Sequence, residues 1–245
     1  MIRLIILLLL TAVAGCGTPQ VDSGNIKSAG VHTELAGLYF ERGQYGVALE
    51  EIDEALQADH NYAKAYNVRG LVHMALREDD LAEEDFKKSL SLDKSDSDTH
   101  NNYGWFLCQR GREKESIPQF MAALKDPLYR TPERAFLNAG ICSRKMGRNK
   151  DAEEFFQRAL TAQPGMPQAL LAMAELSFAN GDYAAAKRYF ASFSTKPDEL
   201  TAEQLWLAVR ISRKTGDRNS EASYGLQLRK RFPDSRETEL MMSGK

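Results

Sequence analysis

Three cysteines and four histidines are the residues of this chain best suited to covalent or metal chemistry: Cys16, Cys108 and Cys142, with His32, His60, His73 and His100. A zinc site needs three or four such ligands converging, and pairs one helical turn apart are the usual way to supply them. No two of the histidines stand four residues apart, so no metal site is expected. No glycine-rich loop ends in Lys-Ser or Lys-Thr to cradle a phosphate, and no Gly-x-Ser-x-Gly turn presents a nucleophile. The chain is therefore not expected to be an enzyme, to hold a cofactor or to take a small-molecule substrate. The thiols remain. Cys16 ends a greasy run, LIILLLLTAVAGC, and Cys108 and Cys142 lie deep in the chain, 34 residues apart.

The segment from Leu4 to Ala14 is about half of the ~20 residues that a helix needs to cross a bilayer. It follows Arg3 and precedes small residues, the layout of a secretory leader. Val13-Ala14-Gly15-Cys16 resembles the bacterial lipobox, and that resemblance implies cleavage before Cys16 and lipid attachment there. The other reading is an ordinary leader with an incidental cysteine. Gly17, rather than aspartate, follows the cysteine. By resemblance to lipoprotein sorting in Gram-negative bacteria, this implies the outer membrane, with the protein lipid-anchored on the periplasmic face. One acyl chain holds only marginally, at about 0.8 kcal/mol per buried CH₂, and several make the anchor lasting. Residues 1–15 are thus expected as a leader and 16–28, small and polar, as a lipidated flexible tether. Net charge is −2, or −3 once Arg3 leaves with the leader. No basic face is forced, so nucleic acid is not an expected partner.

Self-comparison sets the elements that must position everything else. Small residues recur at Ala36, Gly70, Gly104, Gly140, Ala174 and Ala208, at intervals of 34, 34, 36, 34 and 34. Twelve residues after the first five come Ala48, Ala82, Ser116, Ala152 and Ala186, and four residues later Ile52, Phe86, Phe120, Phe156 and Phe190. Gly43, Gly111, Gly147 and Gly181 sit where a first helix should stop. The pattern resembles the tetratricopeptide repeat, a helix-turn-helix of 34 residues. It predicts an all-α superhelical solenoid of six repeats over 29–245: 29–62, 63–96, 97–132, 133–166, 167–200 and a divergent, water-facing cap at 201–235. A small residue on the first helix (A) lets the second (B) approach, and the large apolar residue on B fills the space beside it. Two details should perturb the third repeat. Pro118 should kink its B helix or delay its start, and the extra residues near DPLYRTP should let Thr131-Pro132 cap the next helix.

This frame assigns the remaining candidates. His32, His73 and His100 fall at core positions between helices A and B, and His60 in a turn. Cys108 and Cys142 fall on neighbouring A helices. In an oxidising compartment they form a bridge worth about 3–4 kcal/mol, or else they are two buried free thiols. The A-helix positions that line the inner face of such solenoids carry Phe40, Leu71, Met74, Trp105, Leu137 and Ile141. A recurring apolar face of this kind marks a partner groove, for a helix or an extended peptide, unless the chain's own helices cover it. Thr33 and Gly37 stand where a carboxylate clamp would need Lys and Asn, which argues against a clamp.

The lipobox, the tether and six repeats together resemble the type IV pilus biogenesis lipoproteins of the PilF/PilW pilotin family. The nearest stretches are NNYGWFLCQRGREKESIPQFMAAL and NAGICSRKMGRNKDAEEFFQRAL, with Trp105, Cys108, Cys142 and the DPLYRTPERA insertion as the more specific features. The resemblance implies a lipid-anchored, non-enzymatic protein that binds the secretin subunit of the type IV pilus and promotes its outer-membrane localisation and multimerisation. A scaffold lipoprotein that docks cell-wall hydrolases or other envelope enzymes is the alternative.

Overall fold

The computed structural model describes residues 23–194 and 199–244. The expected leader and the lipid attachment at Cys16 lie outside the described residues. Within them the chain forms six helical hairpins and one further helix. The hairpins are α1 (Ser23–Glu41) with α2 (Tyr45–Ala58), α3 (Ala63–Leu76) with α4 (Asp79–Leu92), and α5 (Ser97–Gln109) with α6 (Glu113–Ala123). Then come α7 (Pro132–Lys145) with α8 (Asn149–Ala162), α9 (Pro167–Ala179) with α10 (Tyr183–Phe193), and α11 (Ala202–Thr215) with α12 (Arg218–Arg231). Helix α13 (Arg236–Met242) follows. Each of the first twelve helices packs chiefly on its hairpin partner and next on the neighbouring hairpin, as a stack of repeats must.

The spaced small and large residues explain how each hairpin closes. Ile52, Phe86, Phe120 and Phe156 are 0% exposed, and burying such a side chain contributes about 1.5–3 kcal/mol. A methyl group added at Gly70, Gly104 or Gly140 would stand 2.9, 2.8 or 2.5 Å from Phe86, Phe120 or Phe156. The helices approach so closely there that only glycine fits. The first repeat solves the same problem differently, with Ala36 and the slimmer Ile52, both fully buried.

The turn glycines take left-handed backbone, with φ of +72° at Gly43, +75° at Gly111, +72° at Gly147 and +82° at Gly181. The second repeat has Arg77 at this step, at φ 66°, where a β-carbon costs about 1–2 kcal/mol. Glycine there gives back part of this through its looser unfolded chain. Arg77→Gly is expected to raise stability by about 0.5–1 kcal/mol in urea denaturation; an unchanged or lower midpoint would contradict it.

Several expectations need correction. Residues 23–28, placed in the tether, are the first turns of α1; Ala29 is fully buried on this helix, in a cluster that also holds Ala36, Ile52 and Ala65. Pro118 does not delay its helix: α6 begins at Glu113, and the proline sits within it. Pro132 is at the start of α7, but the Thr131 side chain makes no capping bond. The sixth repeat does not end the fold. Helix α13 lies over α11 and α12, burying Thr238 and placing Leu240 and Met241 on the last apolar cluster. The helix A histidines form polar seams rather than apolar core. His32 bonds Glu51 at 2.7 Å and His100 bonds Gln119 at 2.7 Å, each from A to B, while His73 bonds Glu78 at 2.6 Å.

One polar cluster fastens the second hairpin to the third. Glu83 on α4 accepts hydrogen bonds from Tyr103 Oη at 2.8 Å and Arg112 Nη1 at 2.7 Å, and pairs with Lys87 at 2.8 Å. Burial pushes this carboxyl up, but the three donors outweigh it and hold the group down to about 2, against 4.5 ordinarily. The folded chain keeps this carboxylate ionised where an unfolded one would protonate. Its stabilisation is complete above about pH 4.5 and is lost on acidification toward about 2.

Candidate functional site

The A helices α1, α3, α5 and α7, with the start of α9, line a trough of about 640 Å³. Four of the six expected groove residues face it: Phe40, Leu71, Trp105 and Leu137. The first three are half-buried, and Leu137 is 8% exposed. Each comes from a different A helix, so consecutive repeats supply one apolar wall residue apiece. Met74 and Ile141 do not line the trough. Met74 packs on the cluster that holds Phe86 and Phe106, and Ile141 on the cluster around Phe156 and Met173. Met74 lies three residues past Leu71 and Ile141 four past Leu137 on the same helices, which places both beyond the edge of the cavity.

The trough also has a polar component that the apolar pattern did not show. Asn102 Nδ2 donates to Asn67 Oδ1 at 3.1 Å, and Asn138 Nδ2 donates to Asn101 Oδ1 at 3.0 Å. Asn101 Nδ2 completes the chain to Asn102 Oδ1 at 3.5 Å. A line of carboxamides therefore runs from α3 across α5 to α7, and all four line the cavity. The available signal was an asparagine two or three residues before Gly70, Gly104 and Gly140. Tyr129, from the DPLYRTP insertion, joins Asp98 and Arg134 at the same cavity. Burial pushes the Tyr129 phenol up to about 12, so it stays neutral.

Beyond α7 the A helices are joined by charged and aromatic groups instead. Arg144 pairs with Glu175 across α7 and α9. The Arg210 guanidinium lies 4.8 Å from the Phe178 ring centre and 5.6 Å from that of Trp206, and burial lowers its pKa. Among the described residues, no group of three or more His, Cys, Asp and Glu side chains stands together to hold a metal ion, and no helix is long and apolar enough to cross a membrane.

Models of the tetratricopeptide repeat match residues 33–98, 107–167 and 143–193. The chain is 30% identical over 239 residues to the type IV pilus assembly protein PilF of Pseudomonas aeruginosa, and the match spans 95% of this chain and 94% of that one. This chain belongs to the PilF/PilW family of type IV pilus biogenesis proteins. Solved structures agree. The crystal structure of PilW, a type IV pilus biogenesis factor, superposes with a TM-score of 0.79 at 35% identity, covering 87% of this chain and 98% of that one. The structure of Pseudomonas aeruginosa PilF gives 0.85 at 30% identity, covering 91% and 100%.

In this PilF/PilW-family chain the two inner cysteines lie directly behind the trough. The structure joins Cys108 on α5 to Cys142 on α7 with Cα atoms 5.9 Å apart. They are 1% and 0% exposed, and Trp105 packs on the cluster they form with Phe120 and Ala139. The bridge links two repeats and backs a wall residue. Replacing both by alanine is expected to cost about 2–4 kcal/mol, since a closed loop of this length restricts the unfolded chain. Urea denaturation checks this; an unchanged midpoint would mean that the bridge contributes nothing. Thiol counting on the denatured, unreduced protein should find neither Cys108 nor Cys142 free.

Proposed function

We propose that this chain is a non-enzymatic, lipid-anchored escort that binds the type IV pilus secretin subunit in the trough of its first repeats and promotes the secretin's outer-membrane assembly. The observation that carries this reading is the open cavity walled by Phe40, Leu71, Trp105 and Leu137 in a member of a pilus biogenesis family. Apolar side chains that converge on an open cavity gain by being covered, at about 25 cal/mol per Å². A lipid on Cys16 would supply the membrane address. Holding several subunits on one membrane surface raises their effective concentration and so favours the ring without any new contact.

Affinity capture from detergent-solubilised membranes tests the partner. Recovery of the secretin supports the proposal, and recovery of peptidoglycan enzymes without secretin would replace it with the scaffold reading. Cys16→Ala is expected to leave capture intact while the protein and the secretin multimers leave the outer-membrane fraction. An unchanged distribution would remove the anchor from the mechanism.

A further inference from the structure

We infer that copies of this chain associate head to tail, the first hairpin of one copy docking on the last hairpin of its neighbour. The inference rests on the two ends of the stack and is independent of what fills the trough.

The first end is an open seam. Val31 and Leu38 of α1 are 57% and 49% exposed. Their counterparts 34 residues on, Ala65 and Val72, are fully buried against the hairpin before them, in one cluster with Ala48, Ile52 and Ala55. Those one repeat further, Thr99 and Phe106, are at most 2% exposed. Val31 and Leu38 are therefore seam residues by position, and among the described residues no hairpin precedes them. This end is also acidic. Glu34 lies on the same exposed stripe of α1, three residues after Val31 and four before Leu38. Helix α2 carries Glu50, Glu51, Asp53 and Glu54 and no Lys or Arg.

The last end has the opposite sign. Helix α12 carries Arg218, Arg229, Lys230 and Arg231 against one carboxylate, Glu221. Arg218 and Arg229 line a cavity of about 340 Å³ together with Ala222, Gly225 and Met241. Helix α13 leaves this cavity open because it is short. It has seven residues, about 10 Å of helix, against fourteen residues, about 21 Å, in each of α11 and α12. Within the chain each first helix of a repeat packs on the second helix of the repeat before, as α3 does on α2 and α7 on α6. The α1 of a second copy, laid on α12 in the same way, would cover Val31 and Leu38 and bring Glu34 to Arg218 and Arg229. Two first ends face to face would oppose carboxylates, and two last ends guanidiniums, so the complementary pairing is head to tail. Such a contact does not close on itself. It builds a row or a ring, in which the troughs of successive copies follow one another.

Sedimentation velocity of the detergent-solubilised full chain tests this. The mean mass is expected to rise with concentration at low salt and to fall toward the monomer at high salt, where the charges are screened. Glu34→Arg sets a cation at the first end, and Arg218→Glu with Arg229→Glu sets carboxylates at the last. All three positions are exposed, and thermal melts check that each variant folds. Each variant alone is expected to associate about tenfold or more weakly, since like charges now meet. Mixed in equal amounts, the altered first end finds the altered last end, and association is expected to return to within about threefold of the native chain. A native chain that stays monomeric at every concentration, no recovery in the mixture, or equal association of all three proteins, as shared detergent micelles alone would give, would overturn the inference. So would a Val31→Asp chain that loses secretin capture yet self-associates as the native chain does, because that end would then belong to the secretin.

Discussion

Replacing Leu71 by aspartate is expected to abolish secretin multimers at equal protein abundance while leaving the solenoid folded. Leu71 is half-buried and lines the trough, with its inner edge on the cluster around Phe86 and Phe106. The exposed part of the side chain means that a carboxylate there stays hydrated in the free protein. The expected loss of stability is about 1 kcal/mol, or roughly 2–4 °C in melting temperature for a domain of this size. Docking changes the balance. An apolar segment covering the site would strip the carboxylate of its water, at a cost of several kcal/mol, and each 1.4 kcal/mol is tenfold in affinity. The same substitution at Leu81, which is 48% exposed on α4 and away from the trough, serves as the control and is expected to leave multimers unchanged. Normal multimers in the Leu71 variant would remove this face from the site.

Phe156→Ala is expected to lower unfolding free energy by about 3–5 kcal/mol, a large share of a marginal total. The ring is fully buried between Gly140 and the cluster of Ala152, Ala159 and Met173. A closely packed site of this kind leaves a cavity when the ring is removed, because its surroundings are helices that cannot collapse onto it. The first repeat suggests a repair. Ala36 faces Ile52 there, both fully buried, so Gly140→Ala combined with Phe156→Ile should cost less than the sum of the two changes made singly. Neighbouring side chains that share one space show such coupling. A loss under 1 kcal/mol for Phe156→Ala, or strict additivity of the pair, would mean that the seam between α7 and α8 is softer than its geometry implies.

The repeat was legible because it is written in residue size. A glycine or alanine on one helix and an aromatic or isoleucine on the next can be matched at a fixed interval without knowing how the hairpins stack. The turn glycines were equally plain, since left-handed backbone leaves few substitutes; Arg77 was hidden because it tolerates that backbone at a cost. The groove was legible in part. Phe40, Leu71, Trp105 and Leu137 reach the cavity, whereas Met74 and Ile141, apolar and on the same helices, turn into seams. The difference is one of position along the same helices, which residue type alone does not show. The asparagines stayed out of sight for a similar reason. They stand in staggered registers, Asn67 and Asn101 three residues before the small position and Asn102 and Asn138 two before it, and only the stacking brings them into line. Helix α13 escaped because it lies past the last spaced marker.

The sulfur cross-link between α5 and α7 sets how this molecule yields when it is tugged from both ends. A stack of repeats is held only neighbour to neighbour, so it peels from its tips inward. The 34-residue separation of the linked cysteines is a loop that cannot pay out. Drawn taut, that loop would have added roughly 110–120 Å of length. Peeling from either tip therefore halts at the middle of the chain, and Leu137, inside the linked loop, is the wall residue of the trough that keeps its place longest under load.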